Sequence, residues 1–110
     1  MSDTTVQTSA PNAAERQTAD RSAVLDALLS LKTRDELDAF LNDLCTPAEM
    51  RAFAERWAVA RLLDQKTKSY REIAHEAGAS PTTVVRVARF LKEMPHQGYR
   101  LALDRLTPKA

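Results

Sequence analysis

Three times along this chain a Ser or Thr is followed three residues later by Glu at the head of a run with helical spacing: Thr33 and Glu36, Thr46 and Glu49, Ser69 and Glu72. That pattern is a reciprocal helix cap, in which the hydroxyl accepts from the third helical N–H and the carboxylate accepts from the N–H of the cap residue. Thr46 is followed by Pro47, and Ser80 by Pro81. Proline suits the first helical position, where its missing N–H would have had no intrahelical partner. With 2 Gly, 5 Pro and no sustained alternation of apolar and polar residues, the chain leaves little room for a sheet. It predicts an all-α fold.

The apolar positions follow the same punctuation. "RSAVLDALLSLK" sets Val24, Leu25, Leu28, Leu29 and Leu31 along one helical face, and the next helix carries Leu37, Phe40, Leu41 and Leu44. The longest helix starts at Thr46-Pro47, with Met50, Phe53, Ala54, Trp57 and Ala60 on one face. Met and aromatic residues at that spacing read as core, with Trp57 as a packing anchor. A short helix from Ser69 ends at Gly78, and a second from Ser80 runs to about Glu93, where Met94-Pro95 stops it. Tyr99, Leu101, Leu103 and Leu106 mark a last helix, so about six helices are expected.

Residues 1–20 are rich in Ser, Thr, Ala and Asp and hold no large aliphatic beyond Val6 after the start Met. So little apolar surface cannot offset ordering entropy, and the composition predicts a disordered tail over 1–20 and a helical domain over 21–107. A domain this small is marginal alone, which favours a homodimer. No apolar run is long enough for a membrane span or a secretory signal, so a cytoplasmic protein without a membrane partner is expected. The single Cys45 makes neither an intrachain disulfide nor a metal site and reads as a buried structural thiol.

Net charge is +1, but it is unevenly distributed. Residues 1–50 carry four basic and nine acidic side chains, and residues 51–110 carry twelve basic and six acidic. The basic half holds "SYREIAHEAGASPTTVVRVARF", residues 69–90. A helix-turn-helix needs a small residue where its second helix crosses the first, a residue tolerating positive φ at the turn, and an aliphatic lock on the second helix. Ala74, Gly78 and Val84 stand at those three places, with Ile73, Ala77, Val87 and Leu91 as interior. The motif spans about residues 69–92.

Its outward residues suit double-stranded DNA. Ser80, Thr82, Thr83 and Arg86 lie in the first turns of the second helix, the part of a recognition helix that meets base edges. Arg pairs bidentately with guanine, and Thr reaches a base edge or a thymine methyl. Lys66, Lys68, Arg71, Arg89 and Lys92 are the candidate phosphate contacts. No acidic residue lies between Gly78 and Lys92. The bland alternative is a helical hairpin with solvated arginines, or a module that docks protein through Val85, the only obvious outward apolar residue of the second helix.

The stretch from Cys45 to Pro95 resembles the Trp repressor family, and within it the YerC/YecD-type group. The resemblance rests on the Thr-Pro-x-Glu helix start, an Arg inside the long helix, Ser-x-Arg-Glu opening the motif, Gly-Ala at the turn, and Arg and Leu-Lys in the recognition helix. It implies an intertwined all-α dimer whose N-terminal helices interlock and whose helix-turn-helix units meet successive major grooves. The function it implies is that of a sequence-specific transcriptional regulator, a repressor by family type.

The same resemblance places two arginines about an amino-acid corepressor, and Arg56 and Arg86 match them; Thr46 matches a further pocket position. Where the family's repressor has a serine beside the ligand's amino group, this chain has Phe90. The ring removes a hydrogen-bond partner and adds bulk, so a vestigial pocket filled from within and no response to tryptophan are expected. The residues leave another small-molecule effector open. Neither His75 nor His96 has a second ligating or catalytic residue at useful spacing, and no phosphate loop or nucleophile elbow occurs. No enzyme activity, metal or cofactor is expected.

Overall fold

The structure, a computed structural model, describes residues 10–107. Six helices follow in order: α1 Ala13–Ser30, α2 Arg34–Leu44, α3 Pro47–Gln65, α4 Tyr70–Ala77, α5 Pro81–Lys92 and α6 Gly98–Leu106, with no strand among the described residues. The caps read from the sequence account for most of the starts. Thr46 accepts from the Glu49 N–H at 3.1 Å and the Glu49 carboxylate accepts from the Thr46 N–H at 2.9 Å. Ser69 and Glu72 do the same at 3.1 and 2.8 Å. The Thr33 cap is only half of the expected box, because the Glu36 carboxylate takes the N–H of Lys32 instead.

One start departs from the sequence reading. Asn12 and Glu15 form a further reciprocal cap, and α1 begins at Ala13, inside the stretch expected to be a disordered tail. Ala13, Ala14, Glu15, Arg16 and Gln17 are strong helix formers. Their lack of apolar surface argues against burial, not against a helix, and residues 10–20 are indeed all exposed. Residues 1–9 of the expected tail lie outside the described residues.

The chain divides into two compact units, one ending at Leu44 and one beginning at Cys45. In the first, neither α1 nor α2 has a buried residue. Leu29 is 84% exposed and Leu25 51%, although both lie on the expected apolar face. In the second, Val59, Ala60 and Leu63 of α3, Ile73 of α4, and Val84, Val87 and Ala88 of α5 form one core. Each fully buried Val or Ile contributes about 1.5–3 kcal/mol relative to exposure. Trp57 packs against this core and stacks on Tyr99 at 6.4 Å between centroids, joining α3 to α6. Arg100 of α6 adds a 2.8 Å ion pair to Asp64 of α3. Phe53 departs from the expected core face: it is 46% exposed, and its ring carries the Arg56 guanidinium 5.9 Å away.

Candidate nucleic-acid interface

The geometry of α4 and α5 follows from three residues. Gly78 adopts φ 65°, ψ 30°, the left-handed conformation that closes α4. Its N–H reaches the His75 carbonyl, and the Ala79 N–H reaches the Ala74 carbonyl at 3.0 Å. Two otherwise unpaired carbonyls are thereby satisfied as the chain turns. Ser80 then caps α5, and Val84 is wholly buried between the helices. The interior side of the motif is thus fixed by Ile73, Val84 and Val87, all within 1% of full burial.

The outer face of α5 is left to solvent. Thr82, Val85, Arg86 and Arg89 are exposed. Ser80 and Thr83 are more committed than the sequence suggests. The Ser80 Oγ accepts from the Thr83 N–H at 3.1 Å and lies 3.0 Å from the Thr83 Oγ1, so both hydroxyls belong first to the cap. Arg86 lies over the Phe90 ring at 4.3 Å, an i,i+4 contact along α5. A guanidinium held by its face keeps the N–H donors along its edge free for a base. The first turn of α5 holds no carboxylate, whereas those of α1 to α4 do, so the positive end of its dipole is unscreened.

Four of the five candidate phosphate contacts border two hollows, Lys68 both of them, while Arg89 lies exposed on α5. Lys66, Lys68 and Lys92 line one cavity of about 500 Å³ together with Tyr70, Leu91 and Arg100. Lys66 closes α3 in the left-handed region at φ 60°. Lys92 lies 5.8 Å from the Tyr70 ring centre, with its Nζ 3.4 Å from the Tyr70 hydroxyl. Arg71 and Lys68 border a groove on α4 with Glu72, His75 and Glu76, and Lys68 pairs with Glu76 at 3.4 Å. Hydrogen bonds from Ser69 hold the Glu72 carboxyl below its ordinary range, and it stays ionised beside Lys68. Tyr70, which sequence reasoning passed over, is signalled only by its place as the first residue of α4, because its partner Lys92 is distant in sequence.

A separate cavity of about 320 Å³ is lined by Arg56, Arg86, Phe90, His96, Gln97, Gly98 and Tyr99. Three of the four residues of the expected effector pocket meet there. Thr46 does not line this cavity; its side chain is spent on the cap of α3. Phe90 forms one wall of this open hollow, tilted against His96 at 6.2 Å. Among the described residues no group of three His, Cys, Asp or Glu is placed to hold a metal ion, and no helix is long and apolar enough to cross a membrane.

The sequence profile described as Trp repressor protein matches residues 19–107, which takes in all of α2 to α6 and most of α1. The chain belongs to the Trp repressor family. It is 40% identical over 83 residues to the uncharacterized protein YerC of Bacillus subtilis strain 168, covering 76% of this chain and 78% of that one. The crystal structure of a Trp-repressor-type protein from Staphylococcus aureus superposes with a TM-score of 0.75 at 35% identity, covering 84% of this chain and 90% of the other. A TrpR-like protein from Eubacterium eligens gives a TM-score of 0.71 at 36% identity, over 77% and 86% of the two chains.

Proposed function

We propose that this Trp repressor family member is a sequence-specific DNA-binding transcriptional regulator, a repressor acting as a homodimer in the cytoplasm, without tryptophan as corepressor and without enzymatic activity. The observation that carries this reading is the outer face of α5. Thr82, Arg86 and Arg89 are exposed on it, the first turn is free of carboxylates, and the Arg86 guanidinium is already oriented by Phe90. Orienting an arginine before binding lowers the entropy lost when it meets a guanine. Lys66, Lys68, Arg71, Arg89 and Lys92 supply the sequence-independent attraction to phosphates.

The homodimer is supported by the apolar side chains left uncovered in a single chain: Leu25, Leu29, Leu37 and Leu44 on α1 and α2, Phe53 on α3, Leu101 and Leu106 on α6. An intertwined partner is the arrangement that would cover such faces, and it would present two recognition helices to successive major grooves. Against tryptophan stand two features. Phe90 offers no hydrogen-bond partner where an ammonium group would need one, and one face of Arg86 is already stacked on its ring.

Replacing Arg86 by Ala tests the reading. The loss at the preferred site should be about 1–3 kcal/mol, with relaxed preference at one base pair of each half-site. An equal loss on every sequence would make Arg86 a backbone contact.

A further inference from the structure

On the reading of α5 as a recognition helix, we infer that Val85 reads a thymine, by packing its methyl groups against the thymine C5 methyl in the major groove. The other aliphatic residues of α5 are accounted for. Val84 and Val87 are 0% exposed, and Leu91 packs against the core. Val85 is 57% exposed and belongs neither to the core nor to the residues packed against it. A β-branched residue on a solvated helix surface is a poor choice on propensity alone, since Ala, Lys, Glu or Arg favour the helix more.

Its neighbours indicate what it faces. Thr82 lies three positions before it and Arg89 four after, so all three share one strip of the helix, with Arg86 alongside. An apolar group set between Thr82 and Arg86, which would contact base edges, and Arg89, which would hold a phosphate, needs an apolar feature in the groove to meet it. The major groove offers one, the thymine C5 methyl, which distinguishes A·T from the other pairs. The stiff χ1 of valine holds its two methyls in one direction, which suits reading a single position.

A protein partner fits this surface less well. Val85 is the one large hydrophobic residue exposed on α5, and Thr82, Arg86 and Arg89 surround it. A protein docking site presents a contiguous apolar patch of a few hundred Å² or more.

The test is a cycle between protein and DNA. The preferred duplex is first selected from a random pool by the full-length wild-type chain. Each thymine in it is then replaced singly by deoxyuridine, which removes only the C5 methyl, and binding is measured for wild type, Val85→Ala and Val85→Thr. At one position per half-site the wild type should lose about fourfold in affinity, the worth of one buried methyl. Val85→Ala should bind the thymine and uracil duplexes equally there, while Val85→Thr, which keeps one methyl, retains part of the difference. Wild type indifferent to every replacement, or Val85→Ala keeping the full loss, overturns the assignment while leaving DNA recognition standing. If the chain selects no sequence from the pool, the DNA-binding reading fails and the assignment to Val85 falls with it.

Discussion

Gly78→Ala and Gly98→Ala each add one methyl group at an open position, and the two should move stability in opposite directions. A Cβ built at either site meets no atom within 4 Å, so packing contributes nothing to the comparison. The backbone decides. Gly78 sits at φ +65°, where an L-residue is strained by about 1–2 kcal/mol. Gly98 is the first residue of α6, in ordinary helical conformation. Both substitutions restrict the unfolded chain, which stabilises the native state by about 0.4–1 kcal/mol where the new residue is unstrained. That gain is common to the pair and cancels in their difference. Gly98→Ala should therefore raise stability by about 0.5 kcal/mol, and Gly78→Ala should fall about 1–2 kcal/mol below it. The assay is urea unfolding followed by the fluorescence of Trp57, at one protein concentration because dimers unfold with a concentration-dependent midpoint. In a chain of this size the gap corresponds to roughly 5–10 °C in Tm. Equal shifts for the two variants would refute the left-handed turn and with it the placement of α5.

Two further outcomes follow from the ion pair and the cavity. Arg100 holds the Asp64 carboxyl below its ordinary value of 3.8, chiefly through their hydrogen bond. A carboxyl depressed in the folded state contributes fully above its unfolded pKa and loses that contribution as pH falls through the folded value. Asp64→Asn should thus lower stability at pH 7 and flatten its fall below about pH 4, as read by urea midpoints across a pH series. Isothermal titration of L-tryptophan into the protein should give no saturable heat at micromolar concentration, whereas micromolar binding would mean that the cavity between Arg56 and Arg86 accepts an indole despite Phe90.

Much of this fold is legible in the sequence because its signals are local. Thr46-Pro47-x-Glu49, Ser69 with Glu72, and Gly78 each act within one helical turn, and each does in the structure what its spacing implies. Asn12 with Glu15 is the same kind of signal, masked by the polar composition around it, because exposure and disorder draw on the same residues. The Arg86–Phe90 stack could be read from its i,i+4 spacing. Lys92 beside Tyr70 could not, since that pairing depends on how α5 crosses α4. The lining of the cavity by His96, Gln97 and Gly98 depends on the turn after α5, where Gln97 takes a left-handed conformation that no residue type announces. Phe53, Leu25 and Leu29 are apolar by pattern and exposed in a single chain; pattern records that a face is to be covered, not by which chain.

The most direct measurement is fluorescence anisotropy of labelled DNA, comparing the gene's own upstream region with a scrambled duplex across a salt series. The account predicts a preference of about 10³-fold or more for the upstream region, with affinity falling steeply as salt rises. Equal binding to both duplexes, or none to either at low salt, would contradict it.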